Sequence, residues 1–149
     1  MSAEIECLIY EAVNAERVSR GLHRLDWDSE LLSLAREHSE DMAKHEFFSH
    51  ERSPGYRNLG LGMGENCFKS YFFFNPPEEI ARKCVDTWMS SSGHKANVLD
   101  KRYLATGVGI VFSDGDCYVT QIFRFPRGIF ELIYHWCRGK KVITFSVFA

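Results

Sequence analysis

The strongest constraint on this sequence is a pair of β-prone segments joined by a turn of known geometry. The runs over residues 107–112 and 117–123 are separated by Ser113-Asp114-Gly115-Asp116. An Asp-Gly pair supplies the positive φ angles that a tight hairpin needs, so the two runs are predicted to form neighbouring antiparallel strands. The chain of 149 residues is long enough to bury a core around such a hairpin, and its length favours a single compact domain.

Helical patterns precede the hairpin. Apolar residues at helical spacing predict one helix over residues 4–20 and a second that begins after the N-cap Asp28 and runs to about Lys44. The segment Asn75-Pro76-Pro77-Glu78-Glu79 is typical of a helix start, with proline in the first turn and acids near the positive end. Ser92-Gly93 is expected to stop that third helix.

The remaining segments are less regular. Residues 45–64 are predicted to be a loop and residues 66–71 a short strand. After Phe125 the pattern changes to a stretch at helical spacing over 129–136, a basic turn and a β-prone end. We therefore expect a domain over residues 1–125 and a C-terminal tail over residues 126–149. The tail could pack on the domain, pair with a sheet edge or be loose.

Composition excludes several classes of protein. A net charge of −2 gives no basic surface for tracking phosphates, so nucleic acid is not expected as a partner. No apolar run approaches the ~20 residues of a membrane-spanning helix, and the N-terminus shows no signal-peptide pattern. The five cysteines are an odd number without a C-x-x-C pair, and we interpret them as buried free thiols that act as small hydrophobes.

Five short blocks carry a resemblance to a known family. In chain order they are Phe48-Ser49-His50, Gly64-Glu65-Asn66, the run Trp88-Met89-Ser90-Ser91-Ser92-Gly93-His94-Lys95-Ala96-Asn97-Val98-Leu99, Gly107-Val108-Gly109, and Tyr118-Val119-Thr120-Gln121-Ile122-Phe123. Over residues 4–125 the sequence resembles the CAP superfamily of cysteine-rich secretory proteins, antigen 5 and pathogenesis-related proteins, also called SCP-like domains. The Trp-Met-x-Ser-x-Gly-His-x-x-Asn-x-Leu pattern looks like the prokaryotic branch. The resemblance implies an α/β fold of the α+β kind, a three-layer α-β-α sandwich around a small, largely antiparallel sheet.

The resemblance also implies a site. Members of the family often hold two His and two Glu in a surface cleft that can bind a divalent ion. His50, Glu65 and His94 match three of these positions, and Ser91 stands at the fourth, where the eukaryotic pattern has Glu. Asn66, beside Glu65, is included in the same implied cleft.

The chemistry of these residues fits a metal site. Two imidazoles and one carboxylate are the ligand set of an open zinc site, so a divalent metal ion, with zinc favoured, is the expected cofactor of His50, Glu65 and His94. Their spacings of 15 and 29 residues put them on separate segments that only the fold can bring together.

Each candidate also has a structural interpretation. His50 could cap a turn, the Glu65 carboxylate could bond backbone amides of the glycine-rich loop, and His94 could interact with the end of the third helix. Asn97 is expected to bond nearby backbone. His38 and His45, seven residues apart on the second helix, are expected to be solvated.

Three functions remain open from the sequence. We favour a non-enzymatic, monomeric binding or effector module whose cleft holds a divalent ion or small ligand, with lipid or protein as other partners. The alternative is a hydrolase that uses a metal-activated water, or Glu65 as base with Ser49 or Ser91 as nucleophile. A third is an interaction domain that docks through residues 126–149. The resemblance implies an extracellular protein, and the missing leader pattern leaves a cytoplasmic one as the alternative.

Overall fold

The computed structural model describes residues 1–72 and 75–139. These residues form five helices and four strands, with the hairpin just before the last described helix. In chain order the elements are α1 (Ser2–Val18), β1 (Asp26–Trp27), α2 (Ser29–Lys44), β2 (Met63–Tyr71), α3 (Pro77–Ser90), α4 (Ser92–Leu99), β3 (Ala105–Ser113), β4 (Asp116–Arg124) and α5 (Ile129–Gly139).

The predicted hairpin is confirmed and forms the centre of a four-stranded sheet. Asp114 and Gly115 adopt φ angles of 49° and 84°, the left-handed values that the Asp-Gly turn requires. The strand order is β1-β3-β4-β2. Strands β2 and β4 pair antiparallel, as do β3 and β4, whereas the two-residue β1 pairs parallel with β3. The sheet is therefore small and largely antiparallel.

Helices cover both faces of this sheet and produce the three-layer α-β-α sandwich expected from the sequence. Helix α2 packs on β3 and β4, and α1 packs on β3 from the other side, next to α3. Two glycines allow the close approach of α2. A Cβ atom at Gly107 would lie 2.1 Å from the backbone nitrogen of Leu32, and one at Gly109 would lie 2.3 Å from that of Arg36.

The N-cap of α2 agrees with the prediction from sequence. The Asp28 Oδ1 atom accepts hydrogen bonds from the backbone amides of Glu30 at 2.9 Å and Leu31 at 3.1 Å. These contacts satisfy two of the amides that a helix N-terminus leaves unpaired. The Asp28 cap fixes the first turn of α2 beside the sheet edge. The helix ends at Lys44, as predicted.

Three local features differ from the expectations. The third helix ends at Ser90, close to the predicted stop at Ser92-Gly93, but a further helix that was not predicted, α4, begins at Ser92 and continues to Leu99. Strand β2 starts at Met63, three residues before the predicted strand, because Met63 to Glu65 continue the pairing with β4. Residues 26–27, for which no strand was predicted, form a short parallel strand with β3.

The cysteines are all free thiols, but their environments differ. Cys67, Cys84 and Cys117 are buried, as the sequence interpretation expected. Cys7 and Cys137 are exposed, so the expectation of burial is wrong for these two. Both lie on helices, α1 and α5, on faces that the described residues do not cover.

The described part of the tail contains helix α5, as its helical spacing predicted. Arg124 joins it to the domain, since Nη2 lies 2.6 Å from Glu131 and 2.9 Å from Asp28. The Nδ1 atom of His135 lies 3.1 Å from Asp26 Oδ2. The β-prone end of the tail lies outside the described residues, and the division at residue 125 stays a prediction.

Candidate functional site

The candidate site is assembled from three segments that meet at the edge strand β2. Glu65 belongs to β2, His50 lies in the loop that follows α2, and His94 lies in the first turn of α4. Because β2 pairs only with β4 among the described strands, its other edge is available to the loop and to α4. The fold thereby brings together segments that are distant in sequence.

His50 and Glu65 are in direct contact. The His50 Nδ1 atom lies 2.8 Å from Glu65 Oε1. The His50 side chain is 61% exposed, whereas that of Glu65 is only 2% exposed. The prediction that the Glu65 carboxylate bonds backbone amides is wrong, because side chains bind this carboxylate instead. The pair therefore presents an imidazole at the surface and holds it from beneath with a carboxylate.

Arg52 is a site residue that the sequence analysis missed. Its Nη1 atom donates to Glu65 Oε1 at 3.1 Å, and its Nη2 atom donates to Glu65 Oε2. The guanidinium is nearly as buried as the carboxylate. A buried carboxylate requires a partner, but nothing in the local sequence marks Arg52 as that partner. The charge of Glu65 is thus compensated within the protein.

His38 lies directly behind this pair, so the expectation that it is solvated is wrong. Its imidazole is buried, its Nε2 atom lies 2.9 Å from the Ser49 carbonyl oxygen, and it approaches Glu65 Oε1 to 3.7 Å. Burial lowers the pKa of His38, which favours the neutral ring. A neutral His38 that donates from Nε2 holds the His50 loop on α2. His45, by contrast, is exposed as expected and bonds Asp41.

Cys67 completes a buried group with His38 and Glu65. One candidate ligand atom from each of these residues lies within 4.8 Å of the others, a spacing at which they could hold a metal ion. Burial raises the pKa of the Cys67 thiol, and the charge of Glu65 raises it further. A thiol must lose its proton to bind a metal, and Arg52 already compensates Glu65. The group of His38, Glu65 and Cys67 therefore favours a protonated thiol and a compensated carboxylate, and both oppose binding of a metal ion.

Asn66 and Asn97 fix α4 beside β2. Asn66 Nδ2 donates to the His94 carbonyl oxygen at 3.1 Å. Asn97 Nδ2 donates to the Glu65 carbonyl oxygen at 3.1 Å and to Asn66 Oδ1 at 2.9 Å. The predicted local bonding of Asn97 is thus wrong, because its partners lie on another element. The two amides set the position of His94 relative to Glu65.

His94 is half-buried and has an unused ring nitrogen. Its Nδ1 atom is buried and has no hydrogen-bond partner among residues 1–72 and 75–139. Burial lowers the pKa of His94, and the charge of His50 lowers it further, so the His50 ring lies close enough to affect His94 electrostatically. A neutral imidazole with a free nitrogen is the form that binds metal ions.

Ser91 is placed at the junction of α3 and α4. It is half-buried, it is the N-cap residue of α4, and its side chain makes no capping hydrogen bond there. It also lines a shallow depression shared with Glu79, Lys83 and Thr87 of α3. A hydroxyl at this position cannot replace the metal-binding capacity of a second carboxylate.

Two features define the class of this protein. One is the layered α-β-α fold, and the other is the exposed His50 that the buried Glu65 contacts at the sheet edge. Residues 10–123 match the CAP family, described as the cysteine-rich secretory protein family. The chain belongs to this family.

Relatives and solved structures agree with this assignment. The chain is 36% identical over 115 residues to the uncharacterized protein YkwD of Bacillus subtilis, a match that covers 70% of this chain and 42% of that protein. It is 34% identical over 108 residues to the uncharacterized membrane protein YlbC of the same organism, covering 68% of this chain and 30% of that protein. The chain therefore spans less than half the length of these curated relatives.

The fold is also that of solved SCP-domain proteins. An extracellular protein containing a SCP domain from Bacillus anthracis superimposes with a TM-score of 0.67 at 26% identity, over 84% of this chain and 41% of that one. The structure of NaASP2 with Zn²⁺ superimposes with a TM-score of 0.65 at 18% identity, over 83% and 80%. Among the described helices, none has the length and apolar character needed to cross a bilayer.

Proposed function

We propose that this domain is a non-enzymatic binding module whose cleft holds a divalent metal ion, with zinc preferred, between His50 and His94. Glu65 is the third member of the site. The observation that carries the proposal is the contact of 2.8 Å between His50 Nδ1 and Glu65 Oε1. A ligating histidine commonly donates its other ring N–H to a carboxylate, which fixes the tautomer and the orientation of the ring.

The tautomer follows from this contact. When Nδ1–H of His50 donates to the carboxylate, the lone pair on Nε2 is left for a ligand, on a side chain that is 61% exposed. The Nδ1 atom of His94, which has no hydrogen-bond partner in the described part of the chain, would supply a second nitrogen donor. Imidazole donors suit zinc, which would act here by holding an external ligand at its open positions.

Arg52 argues against a hydrolytic role for Glu65. A general base must be free to accept a proton, but this carboxylate accepts two hydrogen bonds from a buried guanidinium and one from His50. Ser49 Oγ accepts a hydrogen bond from the backbone amide of Glu51 at 3.1 Å, and none of the described hydrogen bonds joins it to the Glu65 carboxylate. These contacts support a binding role over the hydrolase alternative, in which Glu65 would activate Ser49 or Ser91.

Zinc titration of the full chain, followed by thermal denaturation, tests this proposal. We expect zinc to raise the Tm of the parent, and we expect His50→Ala and His94→Ala each to remove most of that rise. His45→Ala, which removes an exposed imidazole bonded to Asp41, is the matched control and should keep it. A rise that survives both cleft variants, or no rise in the parent, would contradict the site.

The location is proposed from a similar protein, whereas the partner and the domain extent are proposed from the sequence analysis. The Bacillus anthracis protein is described as extracellular, and we propose an exported location for this domain on that similarity. We propose a monomeric domain over residues 1–125 with residues 126–149 as a separate element. A small ligand bound through the metal is the proposed partner.

A further inference from the structure

A groove of about 650 Å³ lies between α5 and the ends of the two central strands. Leu104 precedes β3 and Phe125 follows β4, so these residues line the groove from the domain. Leu132 and Trp136 line it from α5, because positions i and i+4 share one face of a helix. Small-molecule sites in proteins have volumes of about 300–1,000 Å³. The groove is therefore large enough for a small organic ligand.

Both walls of the groove are held in place by hydrogen bonds and ion pairs. On the side of α5, Glu131 lies 2.6 Å from Arg124, and the Nδ1 atom of His135 lies 3.1 Å from Asp26 Oδ2. On the side of the domain, the backbone amide of Leu104 donates to the carbonyl oxygen of Arg124 at 3.0 Å. A site whose walls are already ordered loses little conformational entropy when a ligand binds.

Ring systems form much of the groove lining. The ring of Phe125 stacks on that of Tyr103 with centroids 4.9 Å apart, which fixes its orientation. The imidazoles of His23 and His135 are in edge contact, with centroids 4.6 Å apart. Trp136 adds an indole that is 60% exposed. Aromatic rings bind other rings through offset and edge-to-face contacts, so this lining favours an aromatic ligand over an alkyl chain.

One positive charge of the groove lining is not compensated. The Arg102 Nη2 atom is paired with Asp100 at 2.6 Å, and His135 is paired with a carboxylate as described above. Burial lowers the pKa of His23, which favours its neutral ring. Lys101 is exposed and has no ion pair or side-chain hydrogen bond within residues 1–72 and 75–139. An anionic group on the ligand would complement this ammonium.

We propose that the groove binds a small aromatic carboxylate, with its ring system against Trp136 and Phe125 and its carboxylate at the Lys101 ammonium. The ring would leave water for an apolar groove, and the carboxylate would accept charge-assisted hydrogen bonds. An aliphatic acid would lose the ring contacts, and a neutral aromatic molecule would lose the charge contact. The groove shares no residue with the His50–Glu65 cleft, and the inference goes beyond the proposed function.

Isothermal titration calorimetry of the full chain with 2-naphthoate tests the proposal. A chelator in the buffer keeps metal ions from binding the carboxylate, so the result does not depend on the cleft. We expect saturable binding with one site per chain. The uncharged 2-naphthamide, which has the same ring system, should bind about fivefold more weakly because it lacks the charge contact. Decanoate, which keeps the charge but has no ring, should also bind about fivefold more weakly.

Two variants test the residues that define the ligand class. Lys101→Met should remove the preference for 2-naphthoate over 2-naphthamide, whereas Lys44→Met, at an exposed lysine near the end of α2, should keep it. Trp136→Ala should weaken 2-naphthoate binding about tenfold. Ile133→Ala is its control, because Ile133 lies on α5 but does not line the groove.

The ligand preference of the parent tests the proposal without any variant, and circular dichroism establishes whether each variant keeps the parent fold. Absence of 2-naphthoate binding would overturn the proposal, as would equal affinity for 2-naphthoate and 2-naphthamide. Decanoate that binds as tightly as 2-naphthoate would exclude an aromatic preference. Binding that a folded Trp136→Ala leaves unchanged would show that the ligand lies outside the groove.

Discussion

The Nδ1 atom of His50 lies 2.8 Å from the Oε1 atom of Glu65, so an exposed imidazole is held by a carboxylate that is buried. The same carboxylate is compensated by Arg52. This arrangement explains how a charged residue can lie beneath the surface of β2. It also means that Glu65 has two tasks, since it orients His50 and anchors the loop that carries it.

Removing the Arg52 guanidinium should destabilise the domain strongly. Arg52→Met leaves a buried carboxylate without its cationic partner, and we expect the free energy of unfolding to fall by about 3–5 kcal/mol. Adding Glu65→Gln to this variant should restore part of the loss, because the uncompensated charge disappears. Urea denaturation measures all three values.

Arg57→Met is the control for Arg52→Met. Arg57 also pairs with a glutamate, Glu37, but its side chain is 52% exposed. Exposed ion pairs contribute about 0–1 kcal/mol, so the loss should stay below about 1 kcal/mol. Similar losses in Arg52→Met and Arg57→Met would show that burial of the Arg52–Glu65 pair is not important.

Alanine at Gly107 or Gly109 should prevent the close packing of α2 on β3. Each added Cβ would meet backbone atoms of α2, and backbone cannot move aside as a flexible side chain can. We expect a loss of about 3 kcal/mol or more, or no folded protein, as measured by denaturation or by soluble yield.

The control for these two variants is Gly93→Ala, in helix α4. A Cβ atom there would meet nothing within 4 Å. The helical backbone also suits alanine, so this variant should gain roughly 0.5–1 kcal/mol. A neutral effect of alanine at position 107 or 109 would contradict the described packing.

Stability should fall as the pH decreases from 7 to 5. Burial is the main cause that lowers the pKa values of His23, His38 and His94 below 6.5. The unfolded chain therefore binds more protons than the folded one in this range, so stability rises with pH. The loss begins as pH falls through the unfolded value of 6.5 and levels off below the folded pKa values.

Urea denaturation at several pH values, in buffer that contains a chelator, measures this slope. His38→Gln should reduce the slope, because one of the three histidines with a lowered pKa no longer titrates. Imidazole resonances followed by NMR should place the His38 titration below that of a free histidine. A slope of opposite sign, or one that His38→Gln leaves unchanged, would mean that the environment of His38 is described incorrectly.

Asn97 should act as a positioning residue for the cleft. Asn97→Ala removes the donor to the Glu65 carbonyl oxygen and leaves Oδ1 of the buried Asn66 without this partner. We expect a loss of about 1–3 kcal/mol in unfolding free energy and weaker zinc binding, although both imidazoles remain. The exposed Asn58→Ala is the control and should change neither. Unchanged zinc binding in a destabilised Asn97→Ala would restrict Asn97 to a structural role.

Local patterns predicted much of the fold because the local signals agreed with the tertiary structure. The Asp114-Gly115 turn and the Asp28 cap are determined by nearby backbone, and both are described as expected. Helix α4 was missed because Gly93 indicates an ending, whereas tertiary contacts of Asn97 with β2 hold a new helix there. Local helix propensity predicts helix boundaries poorly where tertiary contacts of this kind dominate.

The site was predicted only as a set of residues. The sequence, with its family resemblance, identified His50, Glu65 and His94, but it could not show that His50 contacts Glu65 or that Arg52 compensates the carboxylate. Arg52 and His38 carry no local pattern that distinguishes a buried partner from a solvated side chain. Their roles come from the meeting of loop, helix and strand, which is a property of the fold.

The proposed function requires that an ion binds to the imidazole of His50 in the cleft. The most direct test is an anomalous difference map, recorded at the zinc absorption edge, from crystals of the full chain grown with zinc. We predict a peak bonded to His50 Nε2 and to the His94 ring, while His50 Nδ1 keeps its contact with Glu65. A peak in the buried group of His38, Glu65 and Cys67, or no peak at His50, would contradict it.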